Sequence, residues 1–159
     1  MNMKSRIDRT GSRVMLRRAA LLSAALNPLA QQAARTAKTH ALRGLELNVY
    51  GTVAGEYDRT GHLRTEVFAS GAANAGTLGL VVGDRAPYAS EIEFGTGPYE
   101  LNEAQRQAYL DVLPRGGLLR FGRTGQAYLL PGPYIGPALM FARTLTRERL
   151  IALMVALWS

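Results

Sequence analysis

The chain of 159 residues contains no cysteine. This absence excludes disulfide bonds, a thiolate nucleophile and cysteine-ligated metals. Histidine is almost as scarce: His40 and His62 are the only two, and neither has a second histidine four residues away. The sequence also lacks a Gly-x-Ser-x-Gly nucleophile elbow and a Walker phosphate loop. We therefore expect no metal, no cofactor and no enzymatic activity.

Long apolar runs are missing as well. The run at residues 150–158 has nine residues, whereas a membrane span needs about 20. A second run, residues 19–30, follows two arginines in the manner of a signal peptide, but Asn27 and Pro28 interrupt it. We interpret both runs as parts of packed helices and expect no membrane partner.

Acidic residues are nearly absent from the first 43 positions. This segment has nine basic residues and one acidic residue, for a net charge of +8, whereas residues 44–159 have ten basic and eleven acidic residues, for a net charge of −1. A basic segment of this kind can contact DNA phosphates, an acidic membrane surface or an acidic protein, or it can be a solvated helix face. Its leucines at helical spacing favour protein docking over DNA contact. Arg13, Arg17 and Arg18 are the candidates for ion pairs at an interface or for contact with DNA.

The composition predicts one globular domain. Apolar residues make up 47% and charged residues 19% of the chain, and its length suits one hydrophobic core. Most of the 17 glycines and seven prolines lie between residues 51 and 137, which indicates short elements joined by turns. We expect a mobile N-terminus at 1–11 and a single α+β domain at 12–159. Within it, residues 12–43 form a basic helical arm, and residues 44–159 form the sheet and a C-terminal helix.

Hydrophobic spacing, caps and breakers define the elements. The helices are predicted at 12–26, 28–42, 87–94, 102–113 and 137–157, with a break at Asn27-Pro28 and an end at Gly44. Residues 45–53 fit a strand or a curved helix end, and we favour the strand. Further strands are predicted at 67–70 and 78–82, paired as a hairpin, and at 126–130, after a loop at 114–125. The expected fold is a small, mainly antiparallel sheet packed by a long C-terminal helix, with N-terminal helices.

The carboxylates of Glu91 and Glu93 could be interpreted as a catalytic pair, but the directions of the two side chains disfavour this. Glu91 and Glu93 are separated by one residue, so they point to opposite faces of a strand or about 200° apart on a helix. They would not converge on one substrate. We expect one to be solvated and the other to form an ion pair with a neighbouring residue or with another subunit.

Three segments, taken in order, are more informative. They are Thr60-Gly61-His62-Leu63-Arg64, then Tyr88-Ala89-Ser90-Glu91-Ile92-Glu93-Phe94-Gly95-Thr96, then Pro133-Tyr134-Ile135-Gly136-Pro137-Ala138-Leu139. In order and spacing they resemble the gene-product-ten-like family of lambdoid phages, which are neck or tail-completion proteins of long-tailed bacteriophages. The resemblance covers about two thirds of the chain, from Thr60 to the C-terminus. Two features depart from the family pattern: Tyr134-Ile135-Gly136 stands where Phe-Leu with a polar residue is more usual, and residues 97–132 form a long stretch that resembles an insertion.

The resemblance implies a structural subunit of the head-tail connector. Such a subunit forms a homo-oligomeric ring, hexameric in the family pattern, around the DNA channel and contacts adjacent neck or tail-tube rings. It is part of the virion and is assembled in the host cytoplasm. The alternative is a DNA-binding regulator or packaging factor that acts through the basic arm. The motif residues are turn and cap types that define a fold; they are Thr60, Gly61, Leu63, Arg64, Tyr88, Ala89, Glu93, Phe94, Gly95, Thr96, Pro133, Pro137, Ala138 and Leu139.

Overall fold

The computed structural model describes residues 9–51, 59–74, 76–95, 118–121, 126–129 and 132–159. The fold is α+β and mostly helical, as predicted. A long helix α1 (Arg9–Leu45) packs against a β-hairpin of β1 (Val67–Asn74) and β2 (Thr77–Asp84), and the C-terminal helix, Ile135–Trp158, packs against α1 and β2. The predicted helix 102–113 lies outside the described residues, as does the N-terminal part of the segment predicted to be mobile.

Helix α1 is continuous where a break was predicted. It begins at Arg9, earlier than the predicted start at Ser12, and it contains Pro28 in its interior. Proline removes one helical hydrogen bond, but a helix packed on both sides can continue through it. Asn27, predicted to cap a second helix, instead accepts a hydrogen bond through Oδ1 from the Ala73 N–H of β1 (3.4 Å). Packing against the hairpin thus overrides the local break signal.

The helical path also continues past Gly44. A π-helical turn, Glu46–Tyr50, follows α1 directly, so the predicted strand at 45–53 is wrong over its described part and the curved helix end is right. Leu45 and Val49 are buried, whereas Leu47 is exposed. The buried residues therefore follow the four-residue spacing of a helix, although the sequence also alternates as in a strand. Gly44 is needed for close packing, because a Cβ there would lie 2.9 Å from Tyr134 Cβ.

The hairpin is confirmed and is longer than predicted. Its strands pair antiparallel from Val67↔Asp84 to Asn74↔Thr77. Gly76 in the connecting turn has a φ of 82°, which glycine adopts without strain. Gly71 was expected in the turn but lies in β1, and its backbone passes so close to α1 that a Cβ there would overlap the Ala30 carbonyl oxygen.

Three shorter elements complete the described chain. Helix α2 (His62–Glu66) leads directly into β1, and helix α3 (Ala89–Phe94) follows β2, as predicted for residues 87–94. A second antiparallel hairpin joins β3 (Leu118–Phe121) to β4 (Gln126–Leu129). Strand β4 matches the prediction, but β3 lies inside the stretch predicted to be a loop. The glycines around β3 favoured a loop, so this four-residue strand was not predicted.

The C-terminal helix, here named α4 (Ile135–Trp158), runs antiparallel to α1. Tyr134 lies against Gly44, and farther along α4 the Phe141 ring stacks on His40 with 3.7 Å between ring centroids. The core lies where the start of α4 meets the end of α1, the hairpin and α2. Its buried side chains are Ala41, Leu45, Val49, Leu63, Val67, Ala86, Ile92, Tyr134 and Ala138.

The fully buried side chains of α4 are the small residues Ala138 and Ala142 near the N-terminus. The helical spacing predicts that the larger residues of α4 pack on the sheet or on a neighbouring subunit. In the single chain Leu145, Leu150, Leu153 and Leu157 are half-buried, and Trp158 is exposed. Close approach of the two helices requires alanine at their contact, so burial is deepest where the side chains are smallest.

Candidate functional site

The side chain of Glu93 connects the second motif segment to the third. It is buried, at 8% exposure. Its Oε2 accepts hydrogen bonds from the backbone N–H groups of Tyr134 (2.7 Å) and Ile135 (2.9 Å), and its Oε1 accepts one from the N–H of Gly136 (2.7 Å). The first N–H groups of a helix have no partner within the helix. Pro137 has no N–H group. The Glu93 carboxylate therefore supplies acceptors for the N–H groups of the first turn of α4, and Pro137 removes the need for a further one.

Charge as well as hydrogen bonding favours this arrangement. A carboxylate at a helix N-terminus interacts favourably with the helix dipole, and hydrogen bonds from N–H groups to a charged acceptor are stronger than neutral ones. The buried member of the pair is thus Glu93, and within the described chain its partners are backbone N–H groups and not a cation. Glu91 is exposed, as expected for the solvated member of the pair.

A second, part-buried link connects the same corner to the hairpin. The Tyr134 hydroxyl donates to Asp84 Oδ2 (2.8 Å), and Asp84 Oδ1 accepts from the Ala86 N–H (2.8 Å). Burial, and secondarily the bond to Asp84, raise the pKa of Tyr134 far above its ordinary value of 10.0. Tyr134 therefore stays protonated as a donor, and it holds the start of α4 against the end of β2.

The first motif segment forms the turn into α2. Gly61 has a φ of 76° and precedes the helix, and the Thr60 hydroxyl accepts a bond from the His62 N–H (3.4 Å). Leu63 is buried in the core. Arg64 pairs with Glu46 and lies over the Tyr50 ring, 4.8 Å from its centroid. This segment therefore fastens the π-helical end of α1 to the base of the hairpin.

Tyr50 lies in the same region. Burial raises the pKa of Tyr50 above its ordinary value, and Arg64 partly opposes this rise. The Tyr50 carbonyl also accepts a hydrogen bond from Arg59 (2.8 Å). The ring is therefore a neutral packing surface for the arginine.

The remaining motif residues differ in their surroundings. Tyr88 and Ala89 pack against the core, half-buried, and Ala138 is buried within it. The glycine after Phe94 predicts a positive φ at Gly95 and an inward-pointing Phe94. Gly95 does have a φ of 76°, but Phe94 is exposed, so the chain turns here without burying the ring. Thr96 lies outside the described residues. The exposed Pro133 accepts a bond from Asn48 Nδ2 through its carbonyl oxygen (2.6 Å), and Pro137 and Leu139 are exposed on the first turns of α4.

Several residues of this corner were not found from the sequence. Asp84, Asn48 and Glu46 each make a contact that links distant segments. None belongs to a motif or has distinctive spacing, so only the folded chain identifies them. The structure therefore brings all three motif segments to one corner of the fold, where they serve packing and helix capping.

The basic end of α1 lies away from this corner. Arg13 and Arg17 are exposed and Arg18 is half-buried. Among the residues that the structure describes, none of the three forms an ion pair.

An apolar face of α4 is exposed toward the C-terminal end of the helix. It consists of Ile151, Met154, Val155 and Trp158, at i, i+3, i+4 and i+7, which is one side of a helix. The half-buried leucines of α4 lie on the other side of the helix. Near the start of α1, the apolar residues Val14, Met15, Leu16 and Leu21 are exposed as well. Because the first three are consecutive, they point to different sides of the helix.

Among the described residues, no group of three or more acidic or histidine side chains is placed to bind a metal ion. None of the described helices is long and apolar enough to cross a membrane. In comparisons with known proteins, no family model, no curated protein and no solved structure matches the chain.

Proposed function

We propose that this chain is a structural, non-enzymatic subunit of the neck that joins head to tail in a long-tailed double-stranded DNA bacteriophage. Copies form a ring, six-membered in the pattern of the family it resembles, around the channel through which DNA passes. The ring is a stopper, terminator or tail-completion ring that contacts adjacent neck or tail-tube rings. Its place is the virion, after assembly in the host cytoplasm.

The observation that carries this proposal is the convergence of the three motif segments in one corner of the fold. Glu93, Pro137 and Ala138 complete and bury the start of α4, and Gly61 with Leu63 anchors the base of the hairpin. Motif residues of this kind maintain a shape. They are what we expect of a protein that acts through surfaces and not through a catalytic cluster.

The exposed end of the helix pair supports the same proposal. The apolar face of α4, four exposed apolar residues of α1 and the three arginines of α1 lie there. Exposed apolar patches on a folded domain mark interaction sites. A ring subunit needs such surfaces for its neighbours in the ring and for the ring above or below.

The test is the phenotype and composition of particles. A phage that lacks this gene should produce separate heads and tails that fail to join, and a plasmid copy should restore joined particles. Images of wild-type particles should place several touching copies at the head-tail junction, and the gene should lie between capsid and tail-tube genes. A single copy per particle, or copies that never touch, contradicts the ring.

The arginines of α1 distinguish docking from DNA contact. We favour ion pairs of Arg13, Arg17 and Arg18 with a protein neighbour. Since exposed pairs each contribute little, replacing one arginine by glutamine should be tolerated, whereas replacing all three should weaken attachment of the ring to particles. Arginines found lining the channel and facing phosphates would refute the docking assignment.

A DNA-binding regulator or packaging factor is the second candidate. The exposed basic residues of α1 favour it. It predicts DNA binding by the isolated chain that weakens steeply with salt and is lost in the triple arginine variant. Undetectable binding at low salt excludes this candidate and leaves the neck proposal intact.

A further inference from the structure

The β3–β4 hairpin forms a sheet of its own. Its register runs from Leu118↔Leu129 at the open end to Phe121↔Gln126 at the closed end. Among the described strands, neither β3 nor β4 pairs with β1 or β2. A lone two-stranded hairpin has little stability in water. This hairpin therefore gains stability from whatever it contacts.

The base of the β3–β4 hairpin is fixed to the corner where the motif segments meet. Gly132 lies shortly after the end of β4, and its N–H donates a hydrogen bond to the Ile92 carbonyl oxygen (2.8 Å). A Cβ on Gly132 would lie 3.2 Å from the Asn48 carbonyl oxygen, so the backbone passes close to its neighbours. The residues that follow are held by Asn48 and Glu93. The hairpin is thus a short element on a rigid scaffold, which is where many binding segments are found.

Acidic residues are absent from the sequence around this hairpin. Residues 112–147 contain five arginines and no aspartate or glutamate. Leu118, Leu119 and Leu129 belong to the open half of the hairpin. The closed half, residues 120–126, has the sequence Arg-Phe-Gly-Arg-Thr-Gly-Gln. The register therefore separates an apolar base from a basic and polar tip, which we define as residues 120–126.

We infer that this tip contacts the phosphates of double-stranded DNA. Arginine binds phosphate through charge-assisted, often bidentate hydrogen bonds. Threonine and glutamine side chains and backbone N–H groups also contact phosphates in DNA complexes, and the two glycines of the tip leave its backbone open to close approach. The inference deepens the proposed ring and rests on it for the place of the contact, since the tips of all copies then face the DNA channel.

The chemistry of the tip favours DNA over an acidic protein. The core of a protein interface is rich in aromatic and apolar anchors, whereas Phe121 is the one large apolar residue among residues 120–126. A two-stranded antiparallel ribbon also fits the major groove of DNA. Contacts with phosphates do not read the bases, so this binding is independent of DNA sequence.

DNA binding by the full-length chain tests the assignment. Fluorescence anisotropy with a labelled duplex of mixed sequence should show binding at low salt that weakens as salt is added. The Arg120→Gln/Arg123→Gln variant should bind about tenfold more weakly. Its slope of log affinity against log salt should be smaller by about 1.8, because each phosphate contact contributes about 0.9.

The matched control is Arg143→Gln/Arg147→Gln, which removes the same charge from exposed positions of α4. It should bind the duplex as the wild type does, and far-ultraviolet circular dichroism shows that both variants are folded. Equal weakening in the tip variant and the control overturns the inference, because binding then follows net charge. A wild-type chain that does not bind the duplex at low salt overturns it as well. Tighter binding of polyglutamate than of the duplex overturns it in favour of an acidic protein partner.

Photo-cross-linking locates the contact, because the chain has no cysteine of its own. Single cysteines are introduced by Gln126→Cys in the tip, Ala20→Cys in the basic part of α1 and Ala152→Cys on α4, and each carries a photoreactive group. The tip variant should cross-link efficiently to the duplex, and the α4 variant should not. Efficient cross-linking from α1 and not from the tip overturns the inference and supports the DNA-binding regulator.

The particle phenotype separates this inference from the neck proposal. If heads and tails fail to join without the gene and the wild-type chain does not bind DNA, the neck proposal stands and the DNA contact is overturned. If they join normally without the gene and the tip variant loses DNA binding, the DNA contact stands and the neck proposal is overturned.

Discussion

Replacement of Glu93 by glutamine keeps the size of the side chain but removes its charge and one of its two acceptor oxygens. In the wild type, Oε2 accepts two N–H groups and Oε1 accepts the Gly136 N–H. If the glutamine oxygen takes the Oε2 position, its amide NH2 group faces the Gly136 N–H, donor against donor. A buried donor without an acceptor costs about 1–3 kcal/mol, and loss of the charge at the helix N-terminus costs about 1 kcal/mol more.

Glu93→Gln should therefore lower the free energy of unfolding by about 2–4 kcal/mol. For a chain of this size the midpoint of thermal unfolding should fall by about 4–16 °C. Urea unfolding followed by far-ultraviolet circular dichroism measures the difference. Glu91→Gln is the matched control, since Glu91 lies on the same short helix and is exposed; it should change stability by less than about 0.5 kcal/mol. Equal stabilities of the two variants would refute the capping argument.

Three further perturbations follow from the packing. The pKa of Tyr134 is raised in the folded state, so its protonated form contributes to the free energy of unfolding below pH 10.0, the ordinary value, and this contribution is lost as pH rises above it. Urea titrations from pH 8 to 11 should show this loss of stability. The Tyr134→Phe variant, which lacks the hydrogen bond to Asp84, should lose less stability over the same pH range. Gly71→Ala should lower the free energy of unfolding by about 3 kcal/mol, because the added Cβ overlaps a carbonyl oxygen of α1. Gly79→Ala on the paired strand should be nearly neutral in the same urea assay, because the nearest atom lies 3.7 Å from the added Cβ. Leu153→Ala should cost less than the 2–5 kcal/mol of a fully buried leucine, since Leu153 is half-buried, and a larger loss would place it in the core.

Local patterns predicted the elements whose signals agree with their packing. The hairpin was predicted because apolar strands flank a turn that contains Gly76, and α4 was predicted because proline precedes a long helical apolar pattern. The errors occur where packing overrides a local signal. Asn27-Pro28 is a sound break motif, yet the helix continues through it because the hairpin supplies a partner for Asn27.

The role of Glu93 shows what a sequence pattern can and cannot establish. Its spacing from Glu91 excluded a convergent pair, and the structure places one carboxylate in the interior and the other in solvent. Its actual partners lie some forty residues away, at the start of α4. No spacing rule reports a contact at that separation. The same holds for Asp84 and Asn48, which become recognisable only when the distant segments are brought together.

The hydrogen bond between Asn27 and Ala73 limits where a further strand can pair with the hairpin. Strand edges with unpaired N–H groups are templates for addition of further strands and for aggregation. At the tip of the hairpin, the Ala73 N–H donates to the helix side chain, and the backbone of Gly71 lies against the Ala30 carbonyl. Helix α1 therefore blocks addition of a strand at this part of β1. A strand that extends the sheet at the tip of the hairpin must therefore join it on the β2 side.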